Sequence, residues 1–382
     1  MDYVAVASKD LARRKLLSKL DANREVDVVK IAGYGVSIPQ CRITIEEIYN
    51  MWPYAFPPES IKVIMGLAEH AVNRTDEDPV TMGSDAAKAA MEMSGLPRDA
   101  IGGLFFGSFT NPYVTKSSGI IVSEILGFNP QVRCADIQYG GKSGTVAVDI
   151  GVSMVNSGVA SYVVAIGADS VSRHCRPNTV FEFFAGAGAA ALVLGKEGFA
   201  TIDDIVTYNT DTADYFRVDG DRYINTGFAE EEESAGYEDH TREAVSLYFN
   251  KTHSKASDYR YIALSQLTGK RTMNLGKSMQ FAEEAITPGM VVADIGYAGS
   301  ASALIGLCKL LDGAEPGDKI LVASYGFGAG CDVLGITVDA GIEQARQRRK
   351  VWPGVTTAVE DKLMVDYKTY AKLERKIIQE YV

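Results

Sequence analysis

Short apolar runs alternate with helix-like stretches along most of the chain. The first convincing strand covers residues 28–38, VVKIAGYGVSI, and Pro39 ends it. Further runs of Val, Ile, Ala and Gly predict strands at 101–109, 132–138, 161–168 and 189–194, which alternate with predicted helices at 79–94, 115–126 and 143–157. Such runs are typical of mostly parallel strands that helices cover on both faces. The pattern therefore predicts an α/β fold.

The same order of elements appears twice. Residues 135–145 read ADIQYGGKSGT, and residues 293–303 read ADIGYAGSASA. A helix, a strand, a glycine-rich turn and another strand are predicted after each segment. Self-similarity at a fixed offset indicates a duplicated structural unit. The chain is thus predicted to contain two related halves that form a pseudo-twofold molecule, with two sheets packed around buried helices.

Four segments are expected along the chain: a charged, helix-prone extension at 1–27, a first half at 28–200, a second half at 201–340, and a helical tail at 341–382. The tail contains a basic run at 346–350, and its last helix is interpreted as a solvated surface helix. Four consecutive glutamates at 230–233 predict an exposed loop.

Composition and charge indicate a folded protein whose main partners are not polyanions. The 382 residues are 46% hydrophobic and 23% charged, which is enough apolar material for a large core. The 38 basic and 49 acidic residues give a net charge of −11, which disfavours nucleic acid and anionic membranes. No apolar run approaches the roughly 20 residues that a membrane span requires, so we expect a cytoplasmic protein. We expect reduced thiols and no metal site, because the five cysteines are scattered: Cys41, Cys134, Cys175, Cys308 and Cys331.

The turn at residues 139–143, YGGKS, is the first place to look for reactive groups. It lies between a predicted strand and a predicted helix, where the free N–H groups of the helix stabilise negative charge. A cysteine at the tip of such a turn would have a lowered pKa. The tip of this turn is glycine.

Several segments in order identify the chain as similar to the hydroxymethylglutaryl-CoA synthase family of the thiolase superfamily, over about residues 28–340. The resemblance implies a thiolase-like five-layer αβαβα fold built from two duplicated halves. It also implies paired active sites in a homodimer or heterodimer. The segments that carry it are GYGVSIP (33–39), TDEDPVTMGSDAA (75–87), DIQYGGKSGT (136–145), AGAGAAALVLG (185–195), GDRYINTG (220–227) and PGDKILVASYGFGAG (316–330).

The resemblance also assigns the family's functional positions. The family's catalytic cysteine falls on Gly141, and its histidine falls on Ser265 in the stretch ALSQLTGK. The family's asparagine falls at or near Asp294. Its acid/base glutamate matches Glu77, so the residue is retained, with either the family's role or a vestigial one. Glycine cannot hold an acyl thioester, and serine cannot replace an imidazole in proton transfer near neutral pH. Covalent acyl transfer at this site is therefore predicted to be disabled.

Other nucleophiles and bases are interpreted as structural. Cys134 is interpreted as a small buried hydrophobic residue, and Cys308 and Cys331 as core residues. Ser143 is expected to cap a helix or face solvent, and His240 is expected to open a helix. The glycine-rich turns predicted at 185–189 and 326–330 lack phosphate-loop spacing and predict close backbone packing.

Within the superfamily, the chain is most similar to the synthase-like subunit of the bacterial diacetylphloroglucinol-forming acetyltransferase complex, through FTNPY, CADIQYGGKSGT, GDRYI, GSAS and SYGFGAG. That resemblance implies a thiolase-like partner subunit and a small OB-fold protein with a zinc ribbon. We therefore expect a non-catalytic or accessory subunit of a multi-subunit acyltransferase. Two alternatives stay open: an active acyl-CoA condensing enzyme with a rewired site, and an acyl-CoA binding module. No covalently bound cofactor is expected, and acyl-CoA is the expected substrate.

Overall fold

The computed structural model describes residues 28–226, 235–350, 352 and 354–377. The predicted helix at 1–27 and the glutamate run at 230–233 lie outside these residues. The strands are β1 Val29–Ser37, β2 Cys41–Thr44, β3 Glu69–Val72, β4 Ile101–Gly107, β5 Arg133–Ile137, β6 Tyr162–Ser170, β7 Ala187–Gly195, β8 Ala200–Tyr208, β9 Tyr215–Phe216, β10 Asn225–Thr226, β11 Tyr261–Leu264, β12 Lys319–Gly326, β13 Gly330–Val338 and β14 Leu363–Met364.

The α-helices lie between these strands at the predicted places and at several additional ones. They are α1 Ile45–Met51, α2 Pro58–Met65, α3 Pro79–Ser94, α4 Ser118–Leu126, α5 Ser143–Asn156, α6 Val171–His174, α7 His240–Thr252, α8 Gly269–Ser278, α9 Glu283–Ile286, α10 Val292–Ile295, α11 Ser302–Gly313, α12 Ile342–Gln347, α13 Val355–Glu360 and α14 Tyr367–Leu373. Among the described residues, no helix is long and apolar enough to cross a membrane.

Nine strands form one mixed sheet in the order β11-β12-β13-β8-β1-β7-β6-β4-β5. Strands β5, β4 and β6 are parallel, and β7 runs antiparallel between β6 and β1. The two halves meet where Val29–Ile31 of β1 pairs with residues 200–202 of β8. The α/β prediction is confirmed, but the expected two sheets are joined along this short ladder.

Two helices form the middle layer of the molecule. Helix α5 packs on β4 and β6, and α11 packs on β11 and β12 as well as on β7. Helices α3 and α7 cover the outer faces of the first and second halves. Gly144 and Gly167 allow the central elements to approach closely, because a Cβ on either would lie 2.5 Å from the carbonyl oxygen of Ser300. This order of layers agrees with the expected five-layer arrangement.

The repeated letters ADI adopt different structures in the two halves. Residues 135–137 belong to strand β5, which pairs with β4, whereas Val292–Ile295 forms the helical turn α10. The cause is tertiary: the side-chain oxygen of Gln266 accepts hydrogen bonds from the backbone N–H groups of Val291 and Val292, at 2.8 and 3.0 Å. The elements that follow do correspond, since α5, β6 and β7 match α11, β12 and β13 in order.

The tail is packed against the body and is not a solvated surface helix. Tyr370 of α14 and the following Glu374 are fully buried. The Glu374 carboxylate accepts hydrogen bonds from the Asn73 N–H at 2.7 Å and the Ser172 hydroxyl at 2.8 Å. The guanidinium of Arg346 in the basic run donates to the carbonyl of Leu311. Polar contacts to buried backbone groups thus anchor the tail. The boundaries of the four predicted segments stay predictions.

Candidate active site

The turn before α5 is rigidly bonded. The Ser143 hydroxyl accepts a hydrogen bond from the Tyr139 N–H and donates one to the Gly140 carbonyl, both at 2.8 Å. Gly140 has a φ of 57°, a left-handed conformation that favours glycine. Ser143 is fully buried. Ser143 is the first residue of α5, and its hydroxyl bonds the turn and not the N–H groups of the helix, so neither the predicted capping role nor the predicted exposure is found.

Gly141 lies at the tip of this turn and has no room for a side chain. A Cβ built on it would overlap the hydroxyl of Tyr297 and lie 2.9 Å from the carbonyl oxygen of Tyr325. Tyr297 follows α10, is fully buried, and its hydroxyl has no hydrogen-bond partner among the described residues. Burial raises the pKa of Tyr297 well above its ordinary value, so the phenol stays neutral. A neutral phenol thus occupies the position next to Gly141.

Ser265, where the family's histidine falls, lies just after β11 and ties two strands together. Its hydroxyl accepts a hydrogen bond from the Tyr325 N–H at 2.9 Å. Its carbonyl accepts one from the Tyr237 hydroxyl at 2.5 Å. Tyr325 also lies against Gly141, so the structure brings Gly141 and Ser265 to the same place. The contacts of Ser265 are structural ones between β11 and β12.

Glu77 and Asp294 have different surroundings. The Glu77 carboxylate accepts a hydrogen bond from the Arg74 N–H at 2.7 Å, and its carbonyl accepts one from Arg173 at 3.1 Å. Burial raises the pKa of Glu77. Asp294 is half-buried in α10, and its charge acts on Arg42. None of these contacts involves the turn at Gly141, and the functional roles of Glu77 and Asp294 stay predictions.

The thiols match their predicted structural roles to different degrees. Cys308 and Cys331 are fully buried, and burial raises both pKa values. Cys134 is only half-buried and borders a cavity of 690 Å³. Burial raises its pKa as well, which makes it a poor nucleophile near neutral pH. Among the described residues, no group of histidine, cysteine, aspartate and glutamate side chains could hold a metal ion.

A group of buried polar side chains that sequence reasoning missed lies beside the turn. Of the twelve buried side-chain polar atoms without a hydrogen-bond partner among the described residues, four belong to this group: the hydroxyls of Tyr297 and Tyr325, Asp214 Oδ2 and His240 Nδ1. His240 opens α7, as expected, and its ring stacks on Tyr325 at 6.2 Å. The polar run NTDTAD directly after β8 was the signal that could have pointed to this group.

Asp214 is held by one of its two carboxylate oxygens. Oδ1 accepts hydrogen bonds from the Gly328 N–H at 2.7 Å and the Thr212 hydroxyl at 3.2 Å. Oδ2 faces Gly236, where it and the Tyr325 hydroxyl lie 2.6 and 2.5 Å from the position of a Cβ. Burial raises the pKa of Asp214. The free oxygen and the free phenol therefore converge on one point.

Lys142, within the turn, forms a buried ion pair that fixes the turn to neighbouring strands. Its ammonium group is buried and lies 2.6 Å from Asp332, and it also donates to Asn209 at 2.6 Å and to Thr207 at 3.1 Å. Thr145 donates to the second oxygen of Asp332 at 2.8 Å. This buried ion pair is fully hydrogen-bonded and ties the start of α5 to β8 and β13.

A cavity of 480 Å³ opens beside the turn, and we call it the tip cavity. It is lined by Gln138, Tyr139, Gly140, Asn209, Thr210, Asp211, Phe327, Gly328 and Ala329. Its wall includes Thr210, whose hydroxyl is hydrogen-bonded to His240 Nε2, and Gly328, whose N–H binds Asp214. A larger apolar cavity of 700 Å³ lies between α3 and the tail and contains none of the predicted site residues.

Comparisons with known proteins agree with this architecture. Residues 135–212 match the family model of 3-oxoacyl-[acyl-carrier-protein] synthase III. The hydroxymethylglutaryl-CoA synthase of Methanobrevibacter smithii is 35% identical over 92% of this chain and 99% of its own length. That of Methanosarcina barkeri is 36% identical over 91% and 99%.

Solved structures share the fold. An HMG-CoA synthase complexed with CoA superposes with a TM-score of 0.80 at 17% identity, covering 92% of both chains. The curacin pathway HMG synthase in complex with holo donor-ACP gives 0.79 at 19% identity, covering 91% of this chain and 88% of that one. The five-layer thiolase-like fold is therefore confirmed.

The expectation of a non-catalytic or accessory subunit is wrong. Relatives about 35% identical over most of the chain are named as synthases, which are acyl-CoA condensing enzymes. The expectation rested on the side chains at residues 141 and 265 alone, whereas other residues form the cavity and the buried polar group beside them. The narrower resemblance to the acetyltransferase-complex subunit stays a prediction. The chain belongs to the hydroxymethylglutaryl-CoA synthase family.

Proposed function

We propose that the protein is an acyl-CoA condensing enzyme of the hydroxymethylglutaryl-CoA synthase type, and that the tip cavity receives its acyl thioesters. The hydroxymethylglutaryl group is the aldol adduct of an acetyl unit and the ketone of an acetoacetyl unit. Acetyl-CoA and acetoacetyl-CoA are therefore the substrates to test. The names of the relatives, which match over more than nine-tenths of the chain, support this reaction class.

The observation that carries the proposal is the group of unpartnered polar atoms beside the tip cavity. Leaving a buried polar group without a partner costs about 1–3 kcal/mol. Such costs are concentrated at functional sites, where a ligand supplies the missing partner. The cavity volume of 480 Å³ also suits a small-molecule ligand. Tyr297, Tyr325, Asp214 and His240 are buried behind the lining of the cavity, and in this proposal substrate binding brings polar atoms within their reach.

Condensation needs a base for the α-proton of one thioester and donors for the oxygen of the other. We assign the acid/base role to Glu77 from the family resemblance, since its contacts lie away from the turn at Gly141; burial raises its pKa, in the direction that suits a general base. The Tyr297 hydroxyl beside Gly141 is a free hydrogen-bond donor for a developing oxyanion. In this scheme residue 141 forms no covalent bond with the substrate.

The test is a direct assay of the purified protein. Acetyl-CoA and acetoacetyl-CoA are supplied together, water cleaves the thioester of the acetyl unit, and the products hydroxymethylglutaryl-CoA and free CoA are measured by chromatography and mass spectrometry. We expect both products from the native chain. The variant A329W fills the tip cavity and should abolish them, whereas T357W, which projects into the larger apolar cavity, should not. Binding of acetyl-CoA without any product would overturn the proposal in favour of a binding module.

The proposal also covers the group that carries the acyl unit and the subunits that bind this chain. One solved relative is a complex with an acyl carrier protein, so the assay also compares acetyl-CoA with acetyl-loaded carrier protein, and we propose CoA as the preferred carrier. A dimer in the cytoplasm, with a thiolase-like subunit and an OB-fold protein as partners, is proposed from the resemblance. Co-expression followed by size-exclusion chromatography tests this assembly.

A further inference from the structure

We propose that Thr210, His240 and Asp214 form a nucleophile, base and carboxylate set, and that Thr210 accepts the acyl group from acyl-CoA. This inference rests on the proposed function, because it names the residue that takes the acyl group in the tip cavity. It places the acyl acceptor in the irregular segment that follows β8, in the wall of the cavity that Gly140 also lines.

Thr210 and His240 have the geometry that an activated hydroxyl requires. Thr210 is exposed at the wall of the tip cavity, and its hydroxyl is hydrogen-bonded to His240 Nε2. The imidazole itself is buried, since His240 is only 4% exposed. A hydroxyl bound to an imidazole, with the hydroxyl facing a cavity, is the diagnostic contact of a hydroxyl nucleophile.

The groups around the rest of the His240 ring affect how easily the ring takes up a proton. The backbone of Gly236 and the charge of Asp214 both act on the His240 imidazole, and Asp214 Oδ2 does not bond to the ring directly. The negative charges of Asp214 and Asp239 favour the imidazolium, while Lys142 opposes it. Tyr208 and Tyr325 pack against the ring from β8 and β12. Burial lowers the pKa of His240, so the ring is neutral near neutral pH and can accept a proton.

The proposed step balances without a further reactant. The Thr210 oxygen attacks the carbonyl carbon of the thioester, and its proton moves to His240 Nε2. The carbon–sulfur bond then breaks, and the CoA thiolate takes that proton from His240. The products are free CoA and an acyl ester on Thr210. Asp214 stabilises the imidazolium that exists between the two proton transfers.

A purely structural interpretation leaves part of the geometry unexplained. A threonine that only capped the buried imidazole would not require its hydroxyl to face a cavity, nor a buried carboxylate whose charge acts on the ring. Asp214 is fixed through its other oxygen by the Gly328 N–H, so its position is determined by the fold.

The experiment is acylation of the full chain by acetyl-CoA without an acceptor. Samples are quenched with acid, and the adduct is located by intact-mass measurement and peptide mapping. We expect one acetyl group on the peptide that contains Thr210. Hydroxylamine at neutral pH cleaves thioesters and should leave this adduct in place, whereas alkaline hydroxylamine should remove the oxygen ester.

Matched variants separate a chemical role from a structural one. T210V should abolish the adduct and T210S should restore it, while T115V, at an exposed threonine near another cavity, should leave it unchanged. H240Q should slow acylation at least 100-fold, in line with the usual contribution of a general base. Melting temperatures of all variants are compared, and rescue by T210S remains informative even if T210V is unstable.

The possible outcomes distinguish this inference from the proposed function. An adduct on Cys134, or unchanged condensation by T210V, overturns the role of Thr210 and leaves the condensing function intact. Acetylated Thr210 in a chain that forms no hydroxymethylglutaryl-CoA supports the inference and overturns the proposed reaction. A threonine ester that T210S restores and H240Q suppresses, in a chain that condenses, supports both.

Discussion

The hydroxyl group of Tyr297 lies in the space that a side chain at residue 141 would occupy. The two residues are therefore coupled: a side chain at 141 requires a smaller or displaced side chain at 297. The glycine at the tip of the turn therefore fits the packing of this protein, in addition to replacing the family's catalytic cysteine.

Restoring a cysteine at residue 141 should destabilise the protein. G141C forces the new side chain against the Tyr297 oxygen, and overpacking of this kind costs about 1–3 kcal/mol. Y297F removes that oxygen, so the double variant should recover part of the loss. Urea titration of the two single variants and the double variant measures the coupling. G313A is the control, since nothing lies within 4 Å of a Cβ there; equal losses with and without Y297F would contradict the prediction.

Breaking the buried ion pair below the turn should be costly. K142M leaves the Asp332 carboxylate buried without its cation, and such a change typically costs about 3–5 kcal/mol. The exposed pair of Lys251 and Asp204 offers a comparison, because K251M should change stability by less than about 1 kcal/mol. Free energies of unfolding from denaturant titration test both values. A similar small effect for the two variants would show that Lys142 is not stabilising the turn.

Glu374 should be essential for docking the tail. E374A leaves the Asn73 N–H and the Ser172 hydroxyl without their acceptor and the Arg173 guanidinium without its counter-charge. We expect a loss of about 3–5 kcal/mol, as for other buried charge pairs that lose one partner. The control is K372A, an exposed position on the same helix. Faster proteolysis of the tail in E374A, but not in K372A, is the second readout.

His70 should make the protein sensitive to acid. It is fully buried, and burial lowers its pKa to about 3. The unfolded chain binds a proton near pH 6.5 whereas the folded chain does not, so stability is complete above that pH. It falls by about 1.4 kcal/mol per pH unit as the pH drops toward 3. H70Q should flatten this slope in unfolding titrations between pH 6 and 4, and H253N, at an exposed histidine, should not.

Replacing Glu77 tests its assigned acid/base role. E77Q should lower kcat by about 100-fold or more, which is the usual contribution of a general base. The acidic limb of the pH profile of kcat/KM should also disappear, since that limb reports the carboxylate. D76N, at the exposed neighbouring carboxylate, should retain both activity and the limb. Unchanged activity in E77Q would place the base elsewhere.

Helices whose ends are marked by capping residues, proline or glycine could be predicted from the sequence, and α3 is an example. Asp78 caps the helix by accepting hydrogen bonds from the N–H groups of Val80 and Thr81, Pro79 begins it, and Gly95 ends it in a left-handed conformation. All of these signals lie within the helix or next to it. The predicted bounds of 79–94 are therefore confirmed.

The site could be predicted only in part, because its contacts join distant segments. The position of Gly141 followed from the turn, whereas its contact with Tyr297 depends on how α10 ends. The start of α10 in turn is held by the Gln266 side chain. The contact of Thr210 with His240 connects the end of β8 to the start of α7 across residues with no regular spacing. No periodicity or motif encodes such a contact.

The short ladder between β1 and β8 has a consequence for synthesis of the chain. Strand β1 is among the earliest described elements, yet its neighbours in the sheet are β7 and β8, and Val29 pairs with Ile202. During translation about half of the chain is therefore synthesised before either edge of β1 can pair. Pairing between such distant segments slows folding. The unpaired backbone edges and the apolar faces of β1 are the surfaces on which a nascent chain of this protein would depend on chaperones.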